Sequence, residues 1–192
     1  MAWITKNSAT MEIAPEGTPL LPDEFKARMR ESILPKYAVT QGALLPVLHE
    51  VQHHLGYLPY QALIEVAEFL ELTPQRVLDT ASFYDEFHLE PVGKNIIGVC
   101  QSIVCETCGH VALIDHLSHK LGIEPGETTA DGLFTLLAME CLGSCDTAPC
   151  ALFNTDRIDN LSREDIDRFI DETLAAENSK KEEKLQAEST ED

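Results

Sequence analysis

The sequence predicts an α+β protein: a small helical bundle at the N-terminal end, then a compact α/β domain whose helices pack on a small sheet. Three observations carry that expectation. Apolar residues recur at helical spacing from Asp23 to about Phe83. The character changes at Pro91-Val92-Gly93, and the run Lys94 to Val99 (KNIIGV) reads as a buried strand. All six cysteines fall between Cys100 and Cys150, inside the second half, which marks one site. At 192 residues and 44% hydrophobic content the chain can build one domain or two small ones around a real core.

Residues 1–20 show little periodicity and contain Pro15, Gly17 and Pro19, so they read as an irregular arm. From Asp23, the residues Phe25, Met29, Ile33 and Leu34 recur at helix spacing until Pro35. A second helix is expected from about Gln41 to Leu55, with Leu44, Leu45, Leu48, Val51 and Leu55 facing inward. Pro46 falls in its first turns, where a missing amide proton matters least, and Gly56 stops it. Tyr60 to Leu70 and Pro74 to Phe83 predict two more, the latter capped by Thr73 with proline at the first helical position. After the first strand, His110 to Leu121 predicts an amphipathic helix, Phe134 to Glu140 a second strand and Ala151 to Asn154 a short third. Ser162 caps a final helix, with Asp165 where a capping box usually has Glu or Gln. Residues 177–192 are strongly charged and read as an acidic, flexible tail. The expected organisation is therefore an arm at 1–20, a helical bundle at 21–92, an α/β domain at 93–176 and a tail at 177–192.

Net charge is −19, from 33 acidic and 14 basic residues, which excludes a nucleic-acid partner that needs a cationic face. A protein partner with a basic surface remains open. No apolar run approaches the ~20 residues of a membrane span. No basic-then-apolar segment opens the chain, so a cytoplasmic location is expected. Six cysteines in a reducing compartment are not a disulfide framework. Neither G-x-x-x-x-G-K nor G-x-G-x-x-G occurs, so the chain should not bind a nucleotide itself.

The cysteines read Cys100-x4-Cys105 and Cys141-x3-Cys145, each pair beginning where a predicted strand gives way to a loop. A cluster of two irons and two sulfides needs two protein ligands per iron, and thiolate is the soft donor it uses. Gly109 and Gly143 in these loops are expected to leave backbone amides free to point at the sulfurs. Glu106, Glu140 and Asp146 lie in the loops nearest the sulfurs and no Lys or Arg does, which predicts a low reduction potential. Three rival readings stand beside this one. Structural zinc favours shorter C-x2-C spacing. Cys105 and Cys108 form a C-x-x-C dithiol redox pair, with Cys105 as nucleophile, but this leaves Cys100, Cys141 and Cys145 idle. Cys100, Cys105 and Cys108 match the C-x4-C-x2-C spacing of plant ferredoxins, which nothing in the helical first half resembles.

His49 to His53 is a literal H-E-x-x-H on a predicted helix, the pattern of a zinc protease with Glu50 as base. No third-ligand motif follows it, so a surface or helix-packing histidine pair is expected. His54, His88, His110, His116 and His119 form no second ligand pattern, and Phe83-Tyr84 is expected to pack the bundle.

Several segments together resemble a family. ALLPVLHEVQ (43–52), GYLP (56–59), SFYDEF (82–87), VCQSIVC (99–105), GETTADGLFTL (126–136) and ECLGSCDTAP (140–149) occur in the order of the thioredoxin-like ferredoxin subunit of respiratory complex I, the E subunit of bacterial NADH–quinone oxidoreductases. The resemblance covers about Leu21 to Leu174. It implies a helical bundle followed by a thioredoxin-like domain, with one 2Fe-2S cluster held by Cys100, Cys105, Cys141 and Cys145. It also implies an FMN- and NADH-binding flavoprotein subunit as partner, within a larger respiratory complex that holds the chain peripheral to the inner membrane. Similar subunits serve NAD-linked hydrogenases and formate dehydrogenases. Three residues depart from the pattern: Ser82 stands where threonine is usual, and Cys108 and Cys150 where cysteine is not. Cys150 is expected to be a small core residue, and Cys108 is close enough to swap as a ligand or to oxidise.

Overall fold

The computed structural model describes residues 18–188, so most of the expected N-terminal arm lies outside the described residues. The chain divides into two compact units, the first ending at Pro91 and the second beginning at Val92.

The first unit holds α1 (Asp23–Ser32), α2 (Leu44–Leu55), α3 (Tyr60–Leu70) and α4 (Pro74–Phe83). Met29, Val47, Leu48, Val51, Leu63, Val66, Leu70 and Val77 are fully buried and form its core. α2 begins with its apolar stripe at Leu44, three residues after the expected start at Gln41, because Thr40–Ala43 form a tighter 3-10 turn ahead of it. This puts Pro46 in the first turn, where its missing amide costs no hydrogen bond. Gly56 ends α2 at φ +85°, its amide donating to the Gln52 carbonyl at 2.7 Å. The Thr73 hydroxyl accepts from the Arg76 amide at 3.4 Å, capping α4. Of the Phe83-Tyr84 pair, Phe83 is 70% exposed and lies edge-to-face with Tyr84 at 5.1 Å between ring centres, while Tyr84 meets the core residue Phe87 at 6.4 Å.

The second unit runs β1 (Asn95–Cys100), α5 (Ile103–Thr107), α6 (His110–Leu121), β2 (Phe134–Met139), β3 (Ala151–Phe153), β4 (Asp156–Ile158) and α7 (Arg163–Glu188). The strands form one mixed sheet in the order β2-β1-β3-β4. β1 and β2 are parallel, with Cys100 opposite Met139, whereas β1 and β3 are antiparallel, with Val99 opposite Ala151. Helices α6 and α7 share the sheet's apolar core through Leu113, Leu117, Ile166 and Ile170, and Phe169 stacks on Phe153 at 4.4 Å. Lys120 on α6 ties them together, reaching Asp167 at 2.8 Å and Asp171 at 3.0 Å on α7.

Two elements escape a reading by periodicity: α5 has five residues and β4 three, too short to show a period. The capping box forms with aspartate in place of glutamate. The Asp165 amide donates to the Ser162 hydroxyl at 3.2 Å, and the Ser162 amide donates to the Asp165 carboxylate at 3.1 Å. The final helix continues to Glu188, past the boundary drawn at residue 176. Alanine, glutamate and lysine beyond Leu174 are strong helix formers, and Glu177 pairs with Lys94 beside β1. No helix among the described residues is long and apolar enough to cross a membrane.

Candidate metal centre

The sheet topology brings the cysteines to one end. Cys100 is the last residue of β1, and β2 runs parallel to it, so Cys141 emerges at that same end, two residues after β2 finishes. β3 runs the opposite way, so Cys150, one residue before it, arrives there too. The Cys100 amide donates to the Cys150 carbonyl at 3.1 Å, continuing the ladder by one step. The short helix α5 then folds Cys105 back over the sheet end.

The thiols fall into two groups. Cys100, Cys105 and Cys150 are buried, and their sulfurs all lie within 4.8 Å of one another. Within this trio the Cys105 and Cys150 sulfurs are 3.9 Å apart. Cys141 and Cys145 are exposed, with sulfurs 3.5 Å apart. A tetrahedral metal with bonds of about 2.3 Å to sulfur sets two ligating sulfurs about 3.8 Å apart. Cys141 with Cys145 and Cys105 with Cys150 lie near that spacing, Cys100 lies within 4.8 Å of the latter two, and the donor set suits a [2Fe-2S] cluster. Cys108 ends α5, is exposed, and belongs to neither close group.

Electrostatics separates the thiols further. Burial pushes the Cys100 thiol up, but hydrogen bonds from the Ser102 and Leu142 amides and from the Cys105 and Cys150 thiols outweigh it, and the net shift is downward. Burial and the Cys100 sulfur raise Cys105. Burial, reinforced by Cys105 and Cys100, pushes Cys150 up to about 12. Cys145 is raised by its hydrogen bond with Cys141 and by that thiol's charge, with smaller contributions from Cys105 and Cys100. The Gly143 loop does supply an amide, that of Leu142, to the Cys100 sulfur, whereas the Gly109 amide donates to the Glu106 carbonyl at 3.2 Å. Gly143 contributes a left-handed turn at φ +76° between Leu142 and Ser144.

The loop carrying Cys141 and Cys145 is held by polar side chains. Ser144, 3% exposed, donates to the Asp159 carboxylate at 2.5 Å and shares a 2.7 Å hydrogen bond with the Thr147 hydroxyl. That bond with Ser144, with help from Thr147 and Arg157, lowers the Asp159 pKa. The Asn160 amide donates to the Thr147 carbonyl and the Leu161 amide to the Pro149 carbonyl, both at 2.7 Å. The hairpin β3–β4 therefore fastens the loop from behind. Glu106, Glu140 and Asp146 are all exposed around this end.

Sequence reasoning misses three features of the site. Cys150 reads as a core residue, whereas its place next to Cys100 is a matter of strand register. The Ser102 and Leu142 amides carry no residue-type signal. Asp159 lies on a turn after a strand too short to be read. In the H-E-x-x-H segment, His49 packs on Phe87 at 4.8 Å, Glu50 pairs with Arg28 at 3.5 Å and His53 is exposed. Among the described residues, the three buried cysteines are the group whose donor atoms converge as metal ligands do.

Comparison with known proteins bears on this centre directly. Residues 30–174 match the model of the thioredoxin-like [2Fe-2S] ferredoxin family. The chain is 40% identical over 152 residues to the E 2 subunit of the NADH-quinone oxidoreductase of Rhizobium meliloti (strain 1021), covering 78% of this chain and 90% of the relative. It is 41% identical over 137 residues to the E subunit of the NADH-quinone oxidoreductase of Aquifex aeolicus (strain VF5), covering 70% and 84%. Among solved structures it is similar to a chain of an NAD+-reducing [NiFe]-hydrogenase in the air-oxidized state, with a TM-score of 0.61 and 33% identity. That likeness covers 69% of this chain but only 23% of the hydrogenase chain. With a helical unit ahead of a mixed four-stranded sheet and thiols gathered at the sheet's end, the chain belongs to the thioredoxin-like [2Fe-2S] ferredoxin family.

Proposed function

We propose that the chain is an electron-transfer subunit of an NADH–quinone oxidoreductase, holding one [2Fe-2S] cluster on Cys100, Cys105, Cys141 and Cys145. The observation that carries this reading is the gathering of thiols at the end of the sheet, three of them with sulfurs within 4.8 Å of one another and two more 3.5 Å apart. A [2Fe-2S] cluster, when bound, supplies one-electron transfer at low potential. This chain's residues hold that group and set its surroundings. The Ser102 and Leu142 amides hydrogen-bond the Cys100 sulfur and favour its thiolate. Glu106, Glu140 and Asp146 oppose added negative charge and keep the potential low. Cys141 and Cys145 lie exposed, as does Ile103 at the start of α5, and together they offer a face through which a partner can come close.

The partner is the FMN- and NADH-binding flavoprotein subunit of the same complex, so the two-electron chemistry of NADH takes place elsewhere. The complex would hold the chain on the cytoplasmic side, peripheral to the inner membrane. A second reading, favoured by the hydrogenase likeness, is the equivalent subunit of an NAD-linked hydrogenase; a formate dehydrogenase subunit would look the same. The dithiol reading fits poorly, because Cys105 is 1% exposed and its burial raises its pKa, the reverse of an activated nucleophile.

The test is electron delivery. NADH should reduce the chain, seen as an EPR signal, only when the flavoprotein subunit is present. Reduction without the flavoprotein, or none with it, would contradict the assignment.

A further inference from the structure

The centre holds one thiol more than a four-ligand cluster needs. The sheet end supplies three buried sulfurs, Cys100, Cys105 and Cys150, where two ligands are required. Cys150 is held in place by its backbone: its carbonyl accepts from the Cys100 amide at 3.1 Å, and the next residue, Ala151, enters β3 opposite Val99. Its side chain is 1% exposed, and its sulfur lies 3.9 Å from that of Cys105, within hydrogen-bond range for sulfur. An ordinary thiol is protonated at neutral pH, and a ligating thiolate has no proton to give. Once the ligands bind iron, Cys150 is the donor, and of its two sulfur neighbours, Cys100 and Cys105, Cys105 is the one placed at 3.9 Å to accept.

We propose that Cys150 is a positioning residue of the cluster, a buried S–H donor to the sulfur of the Cys105 ligand that raises the cluster's reduction potential. The inference rests on the cluster reading above. A hydrogen bond to a ligand sulfur stabilises the reduced, more negative state over the oxidised one. The exposed carboxylates at the same end act in the opposite sense, so the donor offsets part of their effect. Among the described residues, the buried thiols are those of Cys100, Cys105 and Cys150, on one side of the centre.

The test compares full-length protein with Cys150→Ala, Cys150→Val and Cys150→Ser. Removing the donor should leave iron and sulfide content unchanged and make reduction roughly threefold less favourable, about 30 mV lower at 59 mV per tenfold for one electron. Cys150→Val, which fills the space without a donor, should match Cys150→Ala. Cys150→Ser, which keeps a donor, should return towards wild type. A hydrogen-bonded S–H infrared band should be present in wild type and absent from Cys150→Ala. Equal potentials in all four proteins would overturn the inference, and so would loss of iron in Cys150→Ala, since Cys150 would then be a ligand. Wild-type protein without iron would instead overturn the cluster reading itself.

Discussion

Both units of the molecule bury groups that carry chemistry, and the way their partners differ separates scaffold from site. In the helical unit the buried group is Glu65, 8% exposed on α3. Its carboxylate accepts from the Leu20 amide at 2.8 Å, the Leu21 amide at 2.9 Å and Gln61 at 3.1 Å, with Lys26 at 3.6 Å. Every strong acceptor position is engaged by neighbours that belong to the fold, so Glu65 fastens the incoming chain onto the bundle and has no capacity left for a ligand. In the sheet unit the buried groups are three thiols whose side chains face mainly one another. Sulfur–sulfur contacts are weak, so these groups remain available to a metal. In the H-E-x-x-H segment of the helical unit, His49 packs on Phe87 and Glu50 pairs with Arg28.

The largest effect that sharpens this contrast is all-or-none. Cys100→Ala should abolish iron binding, read by metal content and visible absorbance, while Cys108→Ser should leave both intact. Loss of iron in Cys108→Ser would mean that the ligand set is wrong.

Next in size is Glu65→Ala. It strands the buried Leu21 amide and the half-buried Leu20 amide and should cost about 2–3 kcal/mol by denaturant unfolding followed through helical circular dichroism, with iron content unchanged. The pH dependence has a definite sign. Although burial pushes the Glu65 pKa up, the Leu20 and Leu21 amides, Gln61 and Lys26 bring it below the ordinary value. Its contribution is thus fully present above the unfolded-state pKa and is lost as pH falls through the lower folded-state value. The stability gap between wild type and Glu65→Gln should therefore close in acid, below the ordinary glutamate range. A gap that widened there would contradict this account of Glu65.

A smaller effect separates two glycines of the sheet unit. A Cβ on Gly93 would lie 2.7 Å from the Phe134 carbonyl carbon, which is backbone and cannot step aside. A Cβ on Gly98 would meet the flexible end of Met139. Gly93→Ala should cost about 1–3 kcal/mol through overpacking, and Gly98→Ala less, both read by thermal unfolding. The reverse order would refute the register at the start of β1.

The smallest expected effect concerns the loop behind Cys145. Ser144→Ala removes the bond to Asp159, and the cluster should then be lost to a chelator a few times faster with the fold intact, as followed by visible absorbance.

Much of this is legible in the sequence, for physical reasons. The bounds of α3 agree with its apolar periodicity, and those of α4 with its periodicity and the Thr73 cap, because amphipathic helices of ten residues or more show their period in sequence. Spacing at strand ends singles out Cys100, Cys105, Cys141 and Cys145 as expected ligands; the parallel pairing of β1 and β2 brings Cys100 and Cys141 to one end, and the thiols that converge there are Cys100, Cys105 and Cys150. What periodicity does not reach is short or relational. β4 has three residues, and its role, holding Asp159 and the backbone at Asn160 and Leu161 against the cysteine loop, exists only after the hairpin closes. Cys150 looks like an ordinary apolar residue because its neighbour Cys100 is fifty positions away in sequence and adjacent only through antiparallel pairing. Phe83 looks like core because aromatic residues usually are, yet it stands exposed at the end of α4.

The most direct test of the central claim is the iron and acid-labile sulfide content of anaerobically purified full-length protein, with an EPR spectrum after dithionite reduction. The account predicts iron and sulfide in equal amounts, about two of each per chain, and a signal from one unpaired electron on the reduced cluster. Zinc in place of iron, or no metal and a redox-active thiol pair, would contradict it.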